Sequence, residues 1–163
     1  MIQRFIDCFP PTATAQHKSH RVLFSDGKPV VKFFETGKVE AARKELTSLL
    51  RPFAPAQPMT GPLQLIVVWT FYWSKAQEAK RRSGKIPHEW ELLEQRPDGD
   101  NLAKMFKDVM QALGYFHNDS QISLETYLRG RGDRPGIEFV LQWCPPIKYA
   151  AGGAAMITPA QLT

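Results

Sequence analysis

The sequence predicts an α+β fold, a single domain in which a mixed β-sheet carries helices packed against one face. Two stretches, 36–50 and 102–113, repeat apolar residues at three- and four-residue steps, which is the spacing of an amphipathic helix. Three others, 63–73, 122–131 and 136–143, are rich in β-branched and aromatic residues, which favour strands. Because these strands and helices do not alternate regularly, we expect a mixed sheet with its helices on one face.

The first fifty residues predict a strand, a hairpin and a helix. Residues 2–9 alternate weakly and form a strand that the following Pro-Pro pair ends, because proline cannot donate to a sheet ladder. Asp26 and Gly27 lie between two β-prone runs and indicate a hairpin turn. Thr36 is expected to cap the next helix. The apolar face of that helix comprises Val39, Ala42, Leu46, Leu49 and Leu50.

The run 63–73 predicts a central strand. It is almost continuously apolar, so we expect it to be buried on both sides. It is too short to cross a membrane, and the first ten residues include Arg4 and Asp7 and lack the apolar core of a signal peptide. The sequence therefore favours a cytoplasmic protein that does not enter a membrane.

Composition sets the size of the domain and the class of partner. With 163 residues, 43% of them apolar, the chain is long enough for one domain with a core. We assign residues 1–145 to that domain and the Ala/Gly/Pro-rich residues 146–163 to a flexible tail. The net charge of +5 favours a polyanionic partner. Cys8 and Cys144 have no metal-ligand neighbours in the sequence, so we expect reduced thiols.

The segment 74–95 is basic and has few apolar residues before Ile86. Two interpretations are open: a solvated charged face, or contacts with the phosphates of a nucleic acid, since the segment leads directly into the acidic stretch that follows. The basic residues concerned are Lys75, Lys80, Arg81, Arg82 and Lys85.

Acidic residues flank the helix 102–113. Asp98 and Asp100 lie at its start, and Asp119 follows its end, where Gly114 supplies the left-handed residue that ends a helix. Such residues are commonly helix caps and turn residues. The alternative is a metal site: if the chain brings Asp119 back to the helix start, three carboxylates converge, and a hard cation such as Mg²⁺ offsets their repulsion.

The string from Pro97 to Ile122 resembles the RusA family of Holliday-junction resolvases, endodeoxyribonucleases often carried by phages and prophages. The family pattern is roughly P-D-x-D-N-L-x-K, then an Asp within the helix, then D-D-x-Q-I/V. Here it reads PDGDNLAK from Pro97 to Lys104, then Asp108, then NDSQI from Asn118 to Ile122. Asn118 departs from the first Asp of the D-D pair, which leaves a direct metal role to Asp119.

The resemblance implies the site and its chemistry. Asp98, Asp100 and Asp119 correspond to the ligands of a catalytic Mg²⁺, and Lys104 to the cation that neutralises charge developing on the phosphate. Asn101 and Gln121 are expected to position these groups, and Asp108 to form a salt bridge or a packing contact. A short polar segment after an early Pro-Pro lies near the active face in such proteins. That place falls to residues 12–21, with His17 and Lys18, against the alternative of a solvated loop. His17 and His20 have no third ligand nearby, so zinc is not expected.

The resemblance also implies the partner and the assembly. A four-way junction offers two symmetric strands, so a homodimer with two equivalent sites is expected to cut both. Two alternatives are open: a related nuclease for other branched DNA, and a catalytically inactive nucleic-acid-binding module. Loss of Asp98, Asp100 or Asp119 would favour the second, and none is lost.

Overall fold

The computed structural model describes residues 1–13, 18–25, 28–85, 90–144, 148–149 and 155–156. Its helices are α1 (Gly37–Leu50), α2 (Lys75–Arg82) and α3 (Gly99–Ala112). Its strands are β1 (Ile2–Asp7), β2 (Lys18–Ser25), β3 (Lys28–Glu35), β4 (Leu63–Phe71), β5 (Trp90–Leu92), β6 (Ile122–Gly132), β7 (Gly136–Trp143), β8 (Lys148–Tyr149) and β9 (Ala155–Met156).

A five-stranded sheet in the order β1-β7-β4-β6-β5 forms the centre of the molecule. β4 and β6 run parallel, while β1 and β7, β4 and β7, and β5 and β6 are antiparallel pairs. The parallel pair needs a long crossover, which the segment carrying α2, β5 and α3 provides. The predicted α+β fold with a mixed sheet is confirmed.

The hydrophobic core lies between one face of this sheet and the helices α1 and α3. Phe106 of α3 meets Trp69 of β4 edge to face at 6.0 Å and Phe139 of β7 at 5.7 Å. Along β4, the residues that face the helices are fully buried, whereas Ile66, Val68 and Thr70 on the opposite face are only half-buried. β4 is therefore central, but the expectation that it is buried on both sides is wrong along most of its length, because these three side chains remain partly accessible.

The strands β2 and β3 form a separate hairpin, with Val22 paired to Val31. The predicted turn residues Asp26 and Gly27 lie outside the described residues, as does His17. The predicted polar segment 12–21 continues into a strand, since β2 already begins at Lys18. The hairpin carries exposed apolar side chains, among them Phe24 with 76% of its surface accessible.

Helix α1 begins as predicted after Thr36, which has an extended backbone and whose carbonyl accepts the amide of Val39 at 2.9 Å. The Thr36 hydroxyl makes no capping bond, so the predicted side-chain cap is wrong and only the cap position is right. Val39, Ala42 and Leu46 are buried.

The segment 74–95 contains a helix and a strand that the sequence did not predict. α2 begins at a capping box. The Ser74 side chain accepts the backbone amide of Gln77, and the Gln77 side chain accepts the backbone amide of Ser74. β5 then pairs with β6 at the edge of the sheet. The sequence does not predict α2 because its residues form no apolar stripe. Accordingly, the helix buries none of its side chains fully.

The remaining predictions concern the cysteines, the tail and the membrane. Cys8 and Cys144 are both free, and burial, together with the carboxylate of Glu45, raises the pKa of Cys8 to about 11. Most of the tail 146–163 lies outside the described residues, but β8 and β9 within it form a short antiparallel pair. No helix in the described part of the chain is long and apolar enough to span a membrane.

Candidate active site

Asp98 and Asp100 lie at the start of α3, on the surface of the protein. The chain is extended at Asp98, and its carbonyl accepts the Leu102 amide at 3.1 Å, so the helix begins directly after it. The Asp98 side chain makes no capping bond to the helix backbone. Capping therefore does not explain this carboxylate, and both acidic side chains are exposed.

Asn101 fixes the carboxylate of Asp98. Its Nδ2 donates to Asp98 Oδ2 at 3.1 Å, and only 5% of Asn101 is exposed. An amide held rigidly in the core restricts the rotamers of the carboxylate that it binds. The positioning role predicted for Asn101 agrees with this contact.

Arg129 of β6 holds the backbone that leads into Asp98. Its Nη1 donates to the Gln95 carbonyl at 3.1 Å and also to the Pro97 carbonyl. A side chain at Gly99 would meet Arg129 Nε at 3.0 Å, so the guanidinium lies directly against the first helical residue. The sequence does not predict this role for Arg129, which stands with Arg131 and Arg134 near the turn between two predicted strands, because the register that places it against the helix is a tertiary feature.

Lys104 lies one turn after Asp100 and is 64% exposed. Its ammonium is 4.0 Å from Asp108 Oδ1, and Arg43 of α1 lies 3.8 Å from the other oxygen of that carboxylate. The expectation that Asp108 forms a salt bridge is confirmed. Among the described residues, the ion pair of Lys104 is this long and exposed one, which restrains its ammonium weakly.

Asp119 begins a short 3₁₀ turn, Asp119–Gln121, that leads into β6. Gln121 braces this turn: its Oε1 accepts the amides of His117 and Asn118 at 2.9 and 3.1 Å. Its Nε2 donates to the carbonyls of Met59 and Gly61 before β4. The positioning role predicted for Gln121 is thus seen in four hydrogen bonds, and Asp119 itself remains exposed.

The structure does not bring Asp119 to Asp98 within one chain. α3 runs antiparallel to β6, because Arg129 contacts Gly99 at the start of the helix, while Lys107 further along the helix pairs at 2.5 Å with Glu125, which comes earlier in the strand. Asp98 lies beside Arg129, whereas Asp119 precedes Ile122, the first residue of β6. Ile122 comes seven residues before Arg129, which places it about 23 Å away along the strand at roughly 3.3 Å per residue.

The condition that three carboxylates converge is therefore not met in the single chain. β6 places Glu125 and Arg129 alongside α3, while Asp119 lies near the C-terminal end of the helix, opposite the end that carries Asp98. Accordingly, the described residues contain no group of three or more His, Cys, Asp or Glu side chains close enough to hold a metal ion. The exposed pair Asp98 and Asp100 supplies the carboxylate oxygens that a hard cation prefers, but only part of a coordination shell.

The predicted phosphate-binding residues divide into two groups. Arg81 is engaged within the fold: its guanidinium forms a bidentate pair with Asp133 and lies 5.1 Å over the ring of Trp73, whose Nε1 also donates to Asp133 at 2.9 Å. This cluster fastens α2 to the turn between β6 and β7. The other side chains, Lys75, Lys80, Arg82 and Lys85, are exposed.

One comparison with known proteins identifies a family. A family model described as endodeoxyribonuclease RusA matches residues 9–142 of this chain. The match begins just after β1, extends almost to the end of β7, and includes the four predicted catalytic positions and the basic segment. No curated protein matches the chain.

Proposed function

Because the chain belongs to the endodeoxyribonuclease RusA family, we propose that it is a Mg²⁺-dependent, structure-specific endonuclease that resolves four-way DNA junctions in recombination and repair. The observation that supports this most is the pair of exposed carboxylates at the start of α3, of which Asp98 is held by Asn101 and follows a backbone segment fixed by Arg129. Neither carboxylate is used to stabilise the helix through a capping bond, and metal binding would explain both.

Asp98 and Asp100 would hold the metal ion together with Asp119. When bound, Mg²⁺ would polarise the phosphate that is cut and would lower the pKa of a water molecule that it holds. The residues of the chain do the rest. Asn101 keeps Asp98 in one rotamer, Arg129 fixes the backbone before it, and Lys104 neutralises the negative charge that develops on the phosphate.

The position of Asp119 supports a homodimer in which each site takes residues from two chains. Asp119 lies about 20 Å from Asp98 at the other end of α3, as helix length also indicates at 1.5 Å per residue. Two copies related by a two-fold axis, with their α3 helices antiparallel, would place Asp119 of one copy beside Asp98 and Asp100 of the other, twice. The same symmetry matches the two strands of a four-way junction.

Exposed basic side chains supply the electrostatic part of binding. These side chains lie on or just after α2 and are those of Lys75, Lys80, Arg82 and Lys85. Arg81 binds Asp133 directly after β6, and Arg129 near the same end of β6 binds the backbone before Asp98, so α2 and Asp98 are held at one end of the sheet. His17 and Lys18 remain proposed contacts for the same DNA, and His17 lies outside the described residues.

Cleavage of synthetic DNA tests the proposal. The wild-type chain should cut a four-way junction in Mg²⁺, should be inactive in EDTA, and should leave linear duplex intact. Asp100→Asn should bind the junction without cutting it, because it loses a ligand charge and also reduces repulsion of the phosphates. Preferential cutting of flaps or forks would instead assign the enzyme to other branched DNA, and an active Asp100→Asn enzyme would contradict the proposed metal site.

A further inference from the structure

A cleft with aromatic and basic walls lies next to the start of α3. It has a volume of about 290 Å³ and opens between the segment after β1 and the segment after β4. Its walls are formed by Phe9, Tyr72, Leu93, Arg96, Pro97 and Arg131. Pro97 is the residue directly before Asp98, so the cleft adjoins the predicted metal ligands.

The aromatic rings of the cleft are accessible rather than packed into the core. Phe9 is 72% exposed and Tyr72 is 54% exposed, and their ring centroids lie 6.3 Å apart at an angle of 60°. Large aromatic side chains are normally buried when they serve stability. Neighbouring exposed rings at the mouth of a cleft instead offer apolar surface to a flat ligand.

The cleft also carries positive charge with unused hydrogen-bond donors. Arg131 donates from Nη1 to the Tyr72 carbonyl at 3.2 Å, while its Nε is buried and has no partner among the described residues. Arg96 on the other wall is exposed. Guanidinium groups with free donors pair with phosphate oxygens and with the oxygen and nitrogen acceptors of bases.

From this combination we propose that the cleft binds one unstacked nucleobase of the DNA, at the branch point and next to the phosphate that is cut. The inference rests on the proposed nuclease function and adds a base-binding site to it. Aromatic rings stack on any base, and arginine adds a cation–π contact or a phosphate contact, which is how single-stranded DNA is held without strict sequence preference. A volume near the lower end of the range for ligand pockets, about 300–1,000 Å³, suits one base rather than a longer segment.

A branch point is where such a site would be occupied at least cost. When the arms of a junction are held open, the bases at the crossover lose a stacking neighbour, so moving one of them out of the stack costs less than in an intact duplex. In linear duplex the same base would have to leave an intact stack. The cleft would therefore contribute to the preference for branched over linear DNA.

Binding and fluorescence measurements in the Asp100→Asn background test the site. The probe is a four-way junction with 2-aminopurine at the branch point, whose fluorescence rises when it leaves the base stack. Phe9→Ala and Tyr72→Ala should each weaken junction binding about tenfold, the size expected for losing one base–aromatic contact, and should abolish the fluorescence rise. Tyr72→Phe should retain both. The slope of log affinity against log salt should stay at the wild-type value, because no phosphate contact is lost.

Trp143→Ala is the matched control. Trp143 is 60% exposed and lies beside Leu63, at the opposite end of β4 from Tyr72. Its removal should change neither affinity nor fluorescence. If Phe9→Ala and Tyr72→Ala bind the junction as tightly as the wild type with an unchanged fluorescence rise, the base-binding site is wrong while the nuclease proposal stands. If the wild-type chain binds no branched DNA, both fail.

Discussion

At the scale of single residues, substitution of Lys104 distinguishes a catalytic role of its ammonium group from a structural one. Its ion pair with Asp108 is 4.0 Å long and exposed, which is worth at most about 0.5 kcal/mol. We therefore expect Lys104→Ala to leave the melting temperature nearly unchanged. The rate of single-turnover cleavage at saturating enzyme should fall by about 100-fold or more, because charge on the phosphate is no longer neutralised.

The control for Lys104 is Lys44 of α1, which forms the same kind of surface pair with Glu40 at 2.8 Å and is 75% exposed. Lys44→Ala should cleave at the wild-type rate. A Lys104→Ala protein that also cleaves within about threefold of the wild type, well under 1 kcal/mol, would return Lys104 to the role of a surface partner of Asp108.

At the scale of elements, the basic residues of α2 differ in what they contact. Arg81 is 24% exposed and bound to Asp133 and Trp73, whereas Arg82 is 80% exposed. Arg81→Ala should lower the free energy of unfolding by about 1–2 kcal/mol, through the lost charged hydrogen bonds and ring contact. Arg82→Ala should leave stability within about 0.5 kcal/mol and should reduce the salt slope of junction binding by about 0.9 if it contacts one phosphate.

Denaturant unfolding and salt titration of binding distinguish these two variants. Equal stability of Arg81→Ala and Arg82→Ala would contradict the anchoring role of Arg81. An unchanged salt slope in Arg82→Ala, and in a further Lys80→Ala variant, would indicate that the exposed side of α2 is only a solvated face.

The elements also show how much of the structure can be predicted from the sequence. α3 and its end were predictable. The apolar residues from Leu102 to Val109 repeat at helical steps, and Gly114 marks the end, where the structure shows a φ of +78° at this glycine. α2 was not: its capping box, Ser74 with Gln77, is a local signal, but the helix has no apolar stripe and is held by a contact with Asp133, more than fifty residues away. The identity of the acidic residues was evident from their motif. The distance between Asp98 and Asp119 was not, because it depends on the direction of α3 relative to β6.

At the scale of the whole molecule, the described single chain carries the residues of the proposed site at opposite ends of α3. Asp98, Asp100 and Lys104 lie at or near the start of the helix, and Asp119 lies beyond its end, on the turn that Gln121 braces. A two-fold dimer would join each half to the complementary half of a second copy. The dimer would then be a requirement for metal binding as well as for cutting two strands.

Complementation between inactive variants tests this central claim most directly. Asp100→Asn and Asp119→Asn, each inactive alone, are co-expressed with different affinity tags, and the mixed dimer is purified through both. One of its two composite sites then carries both substitutions and the other carries none. The mixed dimer should therefore nick a supercoiled cruciform plasmid to the open circle, where the wild type gives the linear form.

The control is a mixed dimer of Asp98→Asn with Asp100→Asn, in which every composite site has one defect and which should stay inactive. Nicking by the Asp100→Asn and Asp119→Asn mixture, with no nicking by the control, is the result that we predict. If that mixture is as inactive as the control while the wild type linearises the plasmid, the acidic residues act within one chain, and the shared site is contradicted.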